Sequence, residues 1–297
     1  MSQAPPCERW LSPAKLNLCL RVLGRRPDGY HELLTLFQLL DWGDTIWLRI
    51  RRDGQILRHS ALPGVIAEHD LAIRAAHALQ QASGTTLGVD IYIDKQIPLG
   101  GGLGGGSSNA GTVLRALNAL WGLHWPAQRL IDLGRPLGAD VPLFALGRTA
   151  AAAGTGEHLL PRSEPPRHFM LVNPGVHVVT AEVFQATDLP RPQLTAPADP
   201  STIPRLYAEA DWRNDCEPVV RRLVPEVARA LEWLRQWGSG HLTGTGATVF
   251  AVVADPAVAS VRLASLPSGW RGWIVLGIDV APPGVVDSFP VGASPSW

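Results

Sequence analysis

Lysine is almost absent from this chain. Its 297 residues carry 26 basic side chains, yet only Lys15 and Lys95 are lysines. A sequence that uses arginine everywhere else keeps an ammonium where a compact, strongly hydrated point charge is needed. Both lysines are therefore candidates for function. Cysteine is as scarce. Cys7, Cys19 and Cys216 are far apart and form no CxxC pair. They offer no disulfide framework, and a reducing compartment is expected. An excess of either charge is missing too, because 26 acidic residues balance the basic ones. That removes the electrostatic basis for broad nucleic-acid or membrane-surface binding. There is no run of about 20 apolar residues to span a bilayer. Residues 1–10 lack the basic start and apolar run of a signal peptide. A cytoplasmic protein is expected. The histidines lack metal-ligand spacing, so no zinc site and no protein-built metal site is expected.

What is present is 46% apolar residues, enough for two cores. The length exceeds one domain of about 100–150 residues. Two domains are expected, 1–158 and 159–297, with the boundary near residues 157–167, because Phe169 starts a fresh apolar strand. Leu16, Leu18, Leu20 and Val22 alternate, which predicts a strand with Lys15, Asn17 and Cys19 on its other face. Pro27-Asp28-Gly29 signals a turn. Ile46, Leu48 and Ile50 predict a second strand, and Val89, Ile91 and Ile93 a third. Helical spacing appears over 71–81 and again from Ala110 to Trp121, with a further helix over 126–133. In the second half, 226–237 and 256–266 read as helices, and 247–253 and 273–278 as strands. This order predicts an α/β chain with a compact α+β second domain. Residues 189–204 read as a long loop, and 281–297, rich in Pro, Gly and Ser, as a loose tail.

The strongest signal lies between a patterned strand and a patterned helix. Gly100, Gly101, Gly102, Leu103, Gly104, Gly105 and Gly106 follow Pro98-Leu99 and precede Ser107-Ser108-Asn109. Glycines let backbone approach a ligand closely with positive φ. Successive N–H groups then converge on an anion, and a helix starting behind them adds its free amides and dipole. Ser107 and Ser108 can cap that helix, touch phosphate oxygens or help hold a metal ion. A flexible linker would not carry this framing. A nucleotide P-loop would need a lysine before the hydroxyl residue, and none is present. Gly100, Gly102 and Gly105 satisfy GxGxxG, but a dinucleotide fold also wants an acidic residue about 20 positions on. Residues 110–127 contain none, and Asp132 falls inside a helical pattern.

Residues 98–110 resemble the second motif of the GHMP kinases, the family of galactokinase, homoserine kinase and mevalonate kinase. Other segments agree in order. Pro13-Ala14-Lys15-Leu16-Asn17-Leu18 resembles the first motif, and Leu242-Thr243-Gly244-Thr245-Gly246-Ala247 the third. The doubled glycine triplet, Arg26-Pro27-Asp28-Gly29-Tyr30-His31, Leu36-Phe37-Gln38, Leu137-Gly138-Ala139-Asp140-Val141-Pro142 and Asn214-Asp215-Cys216-Glu217 resemble the branch acting on a cytidine diphosphate that carries a branched tetritol.

The resemblance implies a two-domain fold. Its N-terminal ATP-binding domain would be like the second domain of ribosomal protein S5, and its C-terminal substrate domain ferredoxin-like. It implies Asp140 as the group that takes or orients the acceptor's proton, and Lys15 as the ammonium beside it. ATP would lie along Lys95, Pro98, the glycine run with Leu103, Ser107 and Ser108. Magnesium is expected with ATP, held mainly by phosphates and water. The acceptor would meet Asn17, Tyr30, His31, Phe37, Thr180, Phe184, Thr243, Gly244, Thr245 and Gly246, with aromatic rings on the cytosine face and His31 at its edge. Two other readings stay open: another kinase of the family acting on a homoserine- or mevalonate-type acceptor, and a nucleotide-binding regulator without turnover.

Overall fold

The computed structural model describes residues 7–60, 66, 69–192, 198–203, 209 and 212–287. In chain order its first half comprises β1 (Cys7–Arg25), β2 (His31–Arg51), β3 (Ile56–Arg58), α1 (Leu71–Ser83), β4 (Gly88–Asp94), α2 (Gly105–Leu120), α3 (Ala127–Gly134), α4 (Val141–Leu146), β5 (Ala150–Gly154) and β6 (His158–Pro161). The second half comprises β7 (His168–Asn173), α5 (Thr180–Gln185), α6 (Glu217–Leu223), α7 (Pro225–Arg235), β8 (His241–Leu242), β9 (Val249–Val253), α8 (Pro256–Leu263), β10 (Arg271–Ile278) and β11 (Val285–Asp287). The result is a mixed α/β fold.

β1 and β2 form a long antiparallel hairpin closed by the 26–30 turn, where Arg26 N donates to the Tyr30 carbonyl at 2.7 Å and Gly29 takes φ +89°. The pairing slips between Pro13 and Lys15 and again between Asn17 and Cys19. Such bulges bend a strand and re-aim its side chains, and here they bracket the two polar residues of the first motif. The sequence predicts one buried face for this strand. Both faces are buried, because the glycine loop and the 242–246 turn cover the polar one: Lys15 and Asn17 are each 3% exposed.

One edge of β2 faces β1. The other carries β5, β10 and β4 in turn, at residues 33–37, 39–40 and 45–51. The first core lies between this sheet and the helices. Ile46, Leu48, Val89, Ile91 and Ile93 pack on Ala72, Ala76 and Leu79 of α1 and on Val113, Leu114 and Leu117 of α2. In the second half, β10-β7-β9-β8 are antiparallel neighbours. Val220, Val227, Leu231 and Leu234 of α6 and α7 cover Met170, Val172, Val249 and Ala251.

The reading of 281–297 as a loose tail needs correction over its described part. Ala281 is buried and donates to the Gly147 carbonyl at 2.9 Å, and β11 pairs with residues 7–9 of β1. Valines at 285 and 286 have the β-branching that suits an edge strand, and the surrounding Pro and Gly hid it. Residues 288–297 lie outside the described part. So do 193–197 and 204 of the expected 189–204 loop, in which Leu189 and Ile203 are buried anchors.

Candidate active site

The expected strand, glycine loop and helix are present, with one difference. The helix begins at Gly105, with Gly104 as its N-cap at φ +75° and no side-chain cap bond. The serines therefore do not cap it. Ser108 is fully buried, and its hydroxyl donates to the Pro13 carbonyl at 2.6 Å and meets Ser12 Oγ at 2.8 Å. Ser107 borders the open cleft. The missing side-chain cap leaves the first amides of α2 available to an anion. Several glycines of the loop have conformational or steric need. A Cβ on Gly102, at φ +76°, would fall 2.6 Å from the Thr243 carbonyl oxygen. On Gly104 it would fall 3.0 Å from the Phe144 ring and 3.2 Å from Lys15 Cε. On Gly105 it would fall 3.1 Å from Lys95 Nζ. The second and third glycine motifs thus lie backbone against backbone: Thr248 N donates to the Gly101 carbonyl at 3.1 Å.

Around this loop three cavities join end to end. The first, about 240 Å³, is lined by Lys95, Pro98, residues 100–102 and 104–106, and Ser107. It shares Gly102, Gly104 and Ser107 with a central chamber of about 280 Å³ that holds Lys15, Asn17, Phe37, Asp140, Gly244 and Thr245. That chamber shares Leu33, Ala139, Thr155, Thr180 and Phe184 with an outer one of about 620 Å³, lined also by Arg25, Tyr30, His31 and Arg191. Both lysines of the chain therefore stand on this cleft.

In the central chamber Lys15 Nζ donates to Asn17 Oδ1 at 2.6 Å and lies 3.4 Å from Asp140 Oδ2. It also stands 5.4 Å from the centroid of the Phe37 ring, which is otherwise buried. Asn17 is fixed in turn: its Nδ2 donates to Thr35 Oγ1 at 2.8 Å, and its backbone N donates to Thr243 Oγ1 at 3.0 Å. Asp140 occupies the N-cap position of α4, yet its side chain makes no capping bond. Its carboxylate is 31% exposed and faces the chamber. Within the second half, Thr180 of α5 and Thr245 of the third glycine motif join hydroxyl to hydroxyl at 2.9 Å.

Lys95 has company that the sequence did not predict. Its Nζ donates to Asp44, and to Asn109 Oδ1 at 3.2 Å. Asp44, fully buried, also accepts from Gln96 N at 2.8 Å, Ile97 N at 2.9 Å and Asn109 Nδ2 at 2.9 Å. This network fixes both ends of the glycine loop. Leu103 sends its side chain into the core, and its carbonyl accepts from Lys15 N at 3.1 Å. In the outer chamber His31 and Phe184 have ring centroids 5.1 Å apart at 30°, while Tyr30 is 66% exposed at the rim. Burial first, then the positive charges of Arg191 and Arg25, hold the His31 pKa below its usual value. Asn214 donates to the Leu242 and Gly244 carbonyls at 2.9 and 2.8 Å, and Asp215 accepts from Val22 N at 2.9 Å. That pair ties the third glycine motif to β1. Thr35, Asp44, Arg25, Thr155 and Arg191 are cleft or support residues that the motifs did not single out. A near-unique lysine calls for a buried acid, which was the one signal available for Asp44.

Two family profiles match this chain, GHMP kinases N terminal domain over residues 70–148 and GHMP kinases C terminal over residues 203–271, so the class is that of the GHMP kinases. The 4-diphosphocytidyl-2-C-methyl-D-erythritol kinase of Halorhodospira halophila is 51% identical over 276 residues, covering 92% of this chain and 94% of its own. The kinase of the same name from Alkalilimnicola ehrlichii is also 51% identical, over 91% and 90%. A crystal structure of 4-(cytidine 5'-diphospho)-2C-methyl-D-erythritol kinase superposes with a TM-score of 0.77 at 37% identity, over 91% of this chain and 99% of that one. The chain belongs to this kinase family. Among the described residues no helix is long and apolar enough to cross a membrane.

Proposed function

We propose that the chain transfers the γ-phosphoryl group of ATP to the 2-hydroxyl of 4-(cytidine 5'-diphospho)-2-C-methyl-D-erythritol. The products are the 2-phosphate and ADP, in the cytosolic synthesis of isoprenoid precursors by the non-mevalonate route. The observation that carries this reading is the order of the joined cavities. An anion cradle lies at one end, an aromatic and imidazole pocket at the other, and Lys15 with Asp140 stand between them. In this division of labour residues 1–158 hold the nucleotide, and 159–297 bring Thr180, Phe184 and residues 243–246 to the acceptor.

ATP fits the first cavity on two counts, the uncapped amides at the start of α2 and the close backbone approach at Gly102, where a Cβ would meet the Thr243 carbonyl oxygen at 2.6 Å. Lys95, Pro98 and residues 100–106 border it, with Ser107 at its inner end. Magnesium would ride mainly on the phosphates, with Ser107 the protein hydroxyl at hand, and would supply charge neutralisation. Transfer breaks the acceptor's O–H bond and the bond between Pγ and the ADP oxygen, and forms a new O–P bond. Asp140 takes the proton or orients the hydroxyl until it leaves. Lys15, aimed by Asn17, stabilises the negative charge that develops on the transferring group. Positioning by the rigid β1–loop contact supplies the rest. Tyr30 and Phe184 offer faces for the cytosine and His31 reads its edge.

The test follows ADP release with Mg-ATP and the cytidine acceptor, beside Asp140→Asn. Release should require the acceptor, and kcat should fall about 10²–10⁴-fold in the variant. Full activity in Asp140→Asn would overturn the role of Asp140. ATP binding without acceptor-dependent release would overturn the acceptor.

A further inference from the structure

His31 opens β2 and faces the outer chamber. Arg191, beyond α5, donates from Nε to His31 Nε2 at 3.1 Å. The same guanidinium donates from Nη2 to the Phe184 carbonyl at 2.6 Å and from Nη1 to the Leu189 carbonyl at 3.3 Å. A guanidinium has donors only and keeps its proton. The imidazole nitrogen that meets it must therefore offer a lone pair. A neutral imidazole that accepts at Nε2 carries its one hydrogen on Nδ1. Among the described residues, Nδ1 of His31 has no hydrogen-bond partner, so its N–H is left for whatever enters the chamber.

We propose that Arg191 is a positioning residue that sets base specificity: it holds His31 as the Nδ1–H tautomer, a donor toward the pyrimidine, and fastens Phe184 beside it with the same guanidinium. This rests on the cytidine reading of the outer chamber. Cytosine presents a lone pair at N3, where uracil presents an N–H. A side chain that can only donate accepts the first and rejects the second, because a buried donor facing a donor leaves both unpaired. Arg191 and Arg25 are the charged groups that bear on the ring, and both oppose its protonation. Protonation would abolish the lone pair at Nε2 that Arg191 requires.

The direct test is nitrogen NMR of the full chain labelled in its nine histidines, with the His31 signal identified by its loss in His31→Gln. The expected result is a neutral ring at pH 7 with the proton on Nδ1. A ring with the proton on Nε2 overturns the proposal before any ligand is added. In Arg191→Met the His31 titration should move up toward its ordinary value. The preference for cytidine diphosphate over uridine diphosphate, measured by calorimetry, should shrink at least about tenfold. Arg191→Lys, which can still donate to one acceptor, should keep the Nδ1–H tautomer. An unchanged preference in a folded Arg191→Met overturns the specificity role. An Nδ1–H ring in a protein that binds neither nucleotide overturns the cytidine reading and leaves only the tautomer.

Discussion

At the scale of single residues, the ammonium of Lys15 is held by one short bond to Asn17, and Asn17 by Thr35 and Thr243. Each link is buried, so each is made at a fixed distance from Asp140. Asn17→Leu should leave the backbone in place and free the lysine to wander. We expect kcat to fall about 10²-fold, with a much smaller change in KM for ATP, since the loss is in charge stabilisation rather than binding. Lys15→Arg should not rescue. Lys15 is buried, and a planar guanidinium is bulkier than the compact ammonium it would replace. Steady-state kinetics on both variants checks this. Lys15 was legible from composition alone, as one of two lysines in an arginine-rich chain. Thr35 was not, because its importance depends on the register of β1 against β2, which the bulges set and no spacing encodes.

At the scale of elements, the glycine loop separates glycines needed for shape from glycines that are not. Gly102→Ala places a methyl 2.6 Å from the Thr243 carbonyl oxygen at a φ that L residues avoid. It should push the second and third glycine motifs apart. The expected outcome is a loss of about 2–4 kcal/mol in stability, together with weaker ATP binding. At Gly106, already helical, a Cβ would meet only Leu71 Cδ1 at 3.8 Å. Gly106→Ala should instead stabilise the fold by about 0.5–1 kcal/mol, because alanine loses less entropy in a helix. Thermal melts and ATP titrations distinguish the two. The loop and the helix behind it were readable in the sequence. The helix start was not, because glycine has so little helix propensity that Gly105 and Gly106 look like loop. β11 escaped for a related reason: three residues gain strand geometry only from the partner at the other end of the chain.

At the scale of the whole molecule, buried charge decides how the fold responds to acid. Asp90 of β4 accepts from Arg49 at 2.8 Å, Arg51 at 2.8 Å and His59 at 2.7 Å, which ties β4 to β2 and to the segment after β3. Burial opposes its ionisation and is the largest influence. The hydrogen bonds from His59, Arg49 and Arg51 together outweigh it and keep the pKa below the usual carboxylate value. A depressed carboxylate pKa adds stability above the unfolded value, near pH 4, and that stability drains away as pH falls through the folded one. Asp90→Asn should therefore cost roughly 3 kcal/mol at pH 7. The gap to the wild type should narrow below about pH 4. Chemical denaturation at several pH values reads this directly, and a gap independent of pH would rule it out. The sequence marked Asp90 only as the polar phase of an alternating strand. Its three hydrogen-bond partners come from β2 and from residue 59, and only the closed sheet brings them within reach.

The pairing of β1 with β11, and of β2 with β10, also has a history in time. A ribosome delivers residues 7–9 first and residues 285–287 about 280 positions later. At about 5–20 residues per second that delay is on the order of tens of seconds. Throughout it, residues 7–9 of the nascent hairpin lack the neighbour that β11 later gives them and stand as a bare template for other chains. Most domains mature from their N-terminus as they emerge. Here β1 waits for β11. That exposure belongs to the newborn chain alone, because the finished fold pairs the same residues with β11.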